Sequence, residues 1–219
     1  MKNFLLLLLP IFFTSCTSQK YFEGQVTFEK TYESLDSRYS EEIFQKHYGK
    51  WMIGLIQEDR YLLYVPLNEK DTMKVFYFLE TSDGYIERTN SDTINHFRID
   101  QESGELINAN LTDDKAIVLG DTCQSFTIEY LQKEEYINKV EAKYFFNKKY
   151  RLNPKYYQNH KEDFQNIYVI ETESFSVRAE ITNYPLYKSI YQATEIIEKE
   201  IDDKYFKLNP KKHIKKDNR

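Results

Sequence analysis

The chain has 219 residues, 41% hydrophobic and 16% aromatic, and a formal charge of −5 at pH 7. That length suits one domain with a single core, burying about 70% of the surface its unfolded chain exposes. Lys211, Lys212, Lys215, Lys216 and Arg219 stand against Asp217 in the last nine residues, so the body is more acidic than the total and is excluded as a nucleic-acid partner, because phosphates would repel it.

The chain opens with a single cation, Lys2, and the ten-residue apolar run from Phe4 to Phe13, followed by Phe13-Thr14-Ser15-Cys16. Ten residues are too few to span roughly 30 Å of hydrocarbon. Small residues directly before a cysteine form a lipobox-like cleavage site, so 1–15 reads as a signal peptide and Cys16 as the lipidated first residue of the mature chain. No acidic cluster follows Cys16, and the expected address is the outer membrane, facing the periplasm. The membrane is then a partner through an N-terminal lipid anchor.

From Gly24 to Tyr32 apolar and polar residues alternate, Val26, Phe28 and Tyr32 against Thr27, Glu29 and Thr31, which predicts a half-buried strand. Glu33 to Lys46 is polar and reads as a loop with one helical turn. Trp51–Ile56 and Arg60–Val65 form an expected hairpin ended by Pro66, and Lys74–Glu80 is expected to pair with Tyr85–Arg88 across an Asp83-Gly84 turn. Thr93–Ile99, Lys115–Leu119, Gln124–Leu131 and Lys139–Asn147 are further expected strands. Lys148 to Phe164 reads as an irregular connection. Ile167–Glu171, Phe175–Ile181 and Tyr187–Ile201 complete the set, with Thr194–Lys204 also compatible with a helix. Many short strands between turn signals predict a mainly β domain over 16–209, one large curved antiparallel sheet with few short helices. Residues 210–219 read as a basic, solvated tail, with anionic lipid headgroups as the alternative contact.

Three stretches carry a resemblance. Phe22-Glu23-Gly24-Gln25-Val26-Thr27-Phe28, then Lys115 to Phe126 with Gly120-Asp121-Thr122-Cys123, and Tyr191 to Ile196 followed by Asp202 to Leu208 are similar to the opening, middle and closing segments of GLPGLI-type envelope proteins of Bacteroidota. Phe164-Gln165-Asn166-Ile167-Tyr168-Val169 stands where that group has its namesake motif, without the glycines and proline. The resemblance implies a half-barrel of the LolA-like lipoprotein-carrier kind, whose hollow side holds acyl chains; it implies no chemistry and no site residue.

Little in the chain points to catalysis. His47, His96, His160 and His213 have no second ligand at metal spacing, and His160, between charges, reads as a solvated loop residue. Glu41-Glu42, Glu134-Glu135 and Asp202-Asp203 are adjacent, so strand geometry points them to opposite faces. No serine sits in a Gly-x-Ser-x-Gly turn, and six glycines build no phosphate loop. The expectation is therefore a binding protein rather than an enzyme, with no cofactor. With Cys16 lipidated, Cys123 lacks a disulfide partner and is expected to be a buried thiol beside Ile117 and Phe126. Asp71-Thr72-Met73 and Asp92-Thr93-Ile94 resemble acceptors for O-glycosylation at Thr72 and Thr93, though either aspartate also suits an ordinary turn.

The aromatic strands suggest a site. Phe126, Ile128 and Tyr130 line one face of one strand, and Tyr144 and Phe146 one face of the next. These five are the expected lining of an open groove for an acyl chain. The rival expectation is an adaptor whose sheet is filled by its own side chains and which meets an envelope protein through a sheet edge or the Lys148–Phe164 connection.

Overall fold

The computed structural model describes residues 20–132 and 136–216. In chain order the elements are β1 (Gly24–Ser34), α1 (Glu41–Tyr48), β2 (Trp51–Ile56), β3 (Arg60–Asn68), β4 (Asp71–Phe78), β5 (Asp83–Arg88), β6 (Thr93–Arg98), β7 (Gly104–Val118), β8 (Asp121–Gln132), β9 (Lys139–Arg151), α2 (Pro154–Tyr157), α3 (Gln165–Thr172), β10 (Ser174–Tyr184), β11 (Tyr187–Glu198) and β12 (His213–Lys216). The strands form one open curved sheet ordered β12-β6-β5-β4-β3-β2-β1-β11-β10-β9-β8-β7. Every pairing is antiparallel except that of β12 with β6, so the sheet is mixed. The mainly β architecture with few short helices is as expected from the alternation and turn spacing.

Local departures have local causes. Asp83-Gly84 is not a turn: it opens β5, and the chain reverses over 79–82 with Ser82 in the left-handed region at φ 58°. Gly84 serves packing instead, since a Cβ there would stand 2.2 Å from the Phe97 ring. Pro66 lies within β3, opposite Thr72, rather than ending it. Ile167–Glu171 is part of a helix, not a strand. Its β-branched residues favour strands, but Tyr168, Val169 and Thr172 gain burial only when wound onto one side, and tertiary burial overrides such weak propensities. Glu173, left-handed at φ 51°, closes that helix by donating its N–H to the Val169 carbonyl at 2.8 Å.

Both faces of the sheet are covered. The inner face, carrying Val26, Phe28, Phe126, Ile128, Tyr144, Phe146 and Val177, packs against Tyr157, Phe164, Tyr168 and Val169 of the segment after β9. On the outer face Leu55, Leu62 and Phe76 meet Ile201 and Phe206. These last two belong to a strap that leaves β11 and crosses toward β6. The strap is held by Glu23 Oε1 accepting from Ile201 N–H at 2.8 Å, Gln57 Nε2 donating to the Ile201 carbonyl at 2.7 Å, and Lys212 Nζ donating to the Arg88 carbonyl at 2.6 Å. Residues 213–216, within the segment read as a tail, run beside β6 as β12 with all four side chains exposed. At one end α1 closes a cluster of Tyr32, Phe44 and Tyr187.

Because Phe206 is the strap's largest buried apolar side chain at 5% exposure, Phe206→Ala should lower stability by about 3–4 kcal/mol. Urea unfolding monitored by circular dichroism measures this, and a loss below about 1 kcal/mol would show that the strap is not part of the core.

Candidate functional site

The five residues singled out from the sequence do come together. Phe126 stands opposite Tyr144, and Ile128 and Tyr130 stand opposite Ala142 and Val140 in the β8–β9 register, with Phe146 opposite Gln124. They do not line an open groove in this state: all five are at most 6% exposed. The Tyr168 ring covers them, with centroids 5.9 Å from Phe126, 4.8 Å from Tyr144 and 6.3 Å from Phe146, while Phe164 lies 5.1 Å from Tyr130. The physical reason is that the expected irregular connection and strand fold instead as a flap, residues 152–173, that lays its own aromatic residues on the face.

The flap is tied at its root and tip. At the root, Leu152 N–H donates to the Glu173 carbonyl at 2.9 Å and Arg151 pairs with Glu173. At the tip, the Lys161 and Glu162 N–H groups both donate to the Ile99 carbonyl, at 2.7 and 3.0 Å. Asp163 Oδ1 accepts from Ser103 Oγ at 3.0 Å and from the Tyr130 hydroxyl at 2.8 Å. Asp163 and Phe164 are left-handed, at φ 49° and 55°, a conformation that costs a non-glycine residue about 1–3 kcal/mol. Between the flap and the start of β7 a cavity of about 420 Å³ remains, lined by Leu106, Phe164, Asn166 and Ile167 among others, so the flap does not seal against the sheet edge.

His160 is the polar centre of the flap, and the expectation that it is solvated is corrected: it is 2% exposed. Its ring stacks near Tyr61, Tyr77 and Tyr157, with centroids 5.9, 5.4 and 6.1 Å away, and Nε2 shares a 2.7 Å hydrogen bond with the Tyr61 hydroxyl. Backbone groups of His160 and Glu162 also lie against the ring, while Asn166 borders the cavity. Burial holds the imidazole down at about pKa 4 from its ordinary 6.5, so it is neutral at pH 7. Nothing in the sequence flagged this cluster, because Tyr61 and Tyr77 lie far from 157–160 along the chain and meet only through the β3–β4 register.

Lys30 was also unforeseen. It is buried on β1, donates from Nζ to the Tyr48 carbonyl at the end of α1, and lies 5.1 Å from the Tyr191 ring centroid. Burial lowers its pKa to about 8. Cys123 is buried as expected, with its pKa raised first by desolvation. Its expected neighbour Ile117 points away at 75% exposure, because Ala116 rather than Ile117 faces Cys123 across the β7–β8 ladder. Cys16 lies outside the described residues. Among the described residues no group of three His, Cys, Asp or Glu side chains stands ready for a metal, and no helix is long and apolar enough to cross a membrane.

No protein-family model matches the chain, and no curated protein matches it. The resemblance to GLPGLI-type proteins therefore rests on the three stretches that carry it. Among solved structures the chain is similar to PNGF-II, with a TM-score of 0.45 and 10% identity over 90% of this chain and 32% of that one, so it spans about a third of PNGF-II's length. It is also similar to the LolA superfamily protein NE2245 from Nitrosomonas europaea, with a TM-score of 0.39 and 10% identity over 85% of this chain and 90% of that one. A third likeness is to a lipoprotein-sorting protein domain of Vibrio parahaemolyticus, described as a putative outer membrane one, with a TM-score of 0.23 and 8% identity over 84% and 89% of the two chains.

The His160 environment sets a pH dependence. Its folded pKa lies below its unfolded value, so the stability that burial of the neutral ring permits is complete above about pH 6.5 and is lost as pH falls toward 4. Between pH 7 and 4.5 the wild type should lose on the order of 2 kcal/mol more than His160→Asn. Parallel urea titrations of the two proteins measure the difference, and identical slopes would show that His160 takes up its proton without leaving its site.

Proposed function

We propose that this protein is a periplasm-facing lipoprotein, anchored at Cys16 to the outer membrane, that binds the apolar chain of a lipid or of another lipoprotein on the inner face of its sheet beneath the 152–173 flap. It acts by binding rather than by chemistry. The observation that carries this reading is the flap itself: a segment tied at its root and tip, with left-handed Asp163 and Phe164, that covers an aromatic face yet leaves a gap beside Leu106 and Ile167.

Exposing any one of Phe126, Tyr144 or Phe146 costs about 1.5–3 kcal/mol, so an open and empty face is scarcely populated. The two left-handed residues of the closed flap each cost about 1–3 kcal/mol. An acyl chain that displaces Phe164 and Tyr168 must therefore bury enough apolar surface to replace their packing and the hydrogen bonds of the flap tip, with the left-handed strain at Asp163 and Phe164 relieved in return. The gap beside Leu106 and Ile167 gives such a chain a way in.

A second reading has its own support. β7 is a 15-residue edge strand with no neighbour on its outer side among the described residues, and its Leu106, Ile107 and Leu111 are 38–53% exposed. Such an edge suits a partner protein that adds a strand.

The readings part on one experiment. Ser103→Cys with Asp163→Cys joins the flap tip to the sheet margin, where the native side chains already touch. The oxidised form should bind a fluorescent fatty acid at least tenfold more weakly than the same protein reduced, and native mass spectrometry of the wild type should find co-purified lipid. Equal binding by both forms, with no lipid found, would pass the case to the edge strand.

A further inference from the structure

The end of the sheet where β1 begins carries an unusual turn. Val118-Leu119-Gly120-Asp121 joins β7 to β8 with Leu119 at φ 51° and Gly120 at φ 85°. Two left-handed residues are what a tight two-residue hairpin turn requires, and asparagine before glycine is the residue that tolerates it best. Here the position holds leucine, whose branched side chain gains nothing from the turn and is 49% exposed. Ile117 beside it is, at 75%, the most exposed large apolar side chain among the described residues. The turn stands clear of the body, since a Cβ on Gly120 would meet no atom within 4 Å.

Cations flank it. Lys149 reaches Asp121 at 3.6 Å, and Lys148 and Lys115 are exposed with no ion pair among the described residues. Tyr21 and Phe22 also lie here: Phe22 N–H donates to the Arg151 carbonyl at 2.7 Å, and Arg151 lies over the Tyr21 ring, at the end of β9, the neighbour of β8. From Tyr21 back to Cys16 is five residues, at most roughly 18 Å fully extended.

We propose that the β7–β8 turn and the adjoining end of β9 form a membrane-contact rim, with Ile117 and Leu119 entering the headgroup boundary of an anionic phospholipid bilayer and Lys115, Lys148 and Lys149 lying against its phosphates. A tether that short holds Tyr21 beside the membrane, and two exposed aliphatic residues among lysines are the side chains that suit this interface. The inference rests on the reading of Cys16 as the lipidated residue, and it fixes which end of the sheet faces the membrane.

The mature full chain, reconstituted in vesicles of phosphatidylethanolamine and phosphatidylglycerol containing a shallow nitroxide-labelled lipid, tests this by tryptophan quenching. Ile117→Trp and Leu119→Trp, each made with Trp51→Phe, are compared with the wild type, whose single tryptophan is Trp51. Ile117→Trp does not burden the strained position, so it serves even if Leu119→Trp misfolds. Quenching at 117 at least threefold stronger than at Trp51, on vesicles recovered by flotation, is the expected result. Quenching no stronger than at Trp51, or a mature protein that fails to float at all, would overturn the rim. If Cys16→Ala floats as well as the wild type while position 117 is still quenched, the rim stands and the lipid tether is the part that fails.

Discussion

A sheet of twelve strands rich in Tyr and Phe has two large faces that water cannot be left to cover, and most of this molecule's remaining architecture follows from that constraint. No second sheet or long helix is present among the described residues to close either face. The chain instead spends two of its longer connections on the task. The flap after β9 covers the inner face with Phe164, Tyr168 and Val169, and the strap after β11 covers the outer face with Ile201 and Phe206.

The two covers differ in kind. The strap is joined to the sheet by well-placed hydrogen bonds from Gln57, Glu23 and Lys212, and Lys212 also faces Glu87 across 3.4 Å in a site where both side chains are only 10% exposed. The flap is joined at its root and tip, but a cavity of about 420 Å³ remains between it and the start of β7. That difference leaves the strap continuous with the core and the flap with an open margin.

The edges are managed unequally as well. β6 is covered by β12, whose exposed His213, Lys215 and Lys216 discourage further pairing. β7 has no such cover, though the register shift between Thr112 and Lys115 bends it midway. Buried charge is handled by local geometry, with Lys30 donating to the Tyr48 carbonyl at the end of α1, where a helix end favours a cation.

Alternation in β1, β8 and β10 made the strands and their apolar faces legible, and it placed Phe126, Ile128, Tyr130, Tyr144 and Phe146 on one side correctly, because a period of two assigns faces without knowledge of neighbours. The misread Asp83-Gly84 turn and the helix α3 were illegible for a common reason. Gly84 answers to the Phe97 ring and Tyr168 answers to three aromatic rings on other strands, and neither partner is near in the chain. The sequence by itself determined that the chain is a mainly β sheet with an aromatic face and a buried Cys123. Only the tertiary structure decided that this face is covered by 152–173, that His160 is buried among Tyr61, Tyr77 and Tyr157, and that residues 213–216 pair with β6. Strand periodicity is a property of the local backbone, whereas the cover of a face is chosen by which distant segment has the length and apolar surface to reach it.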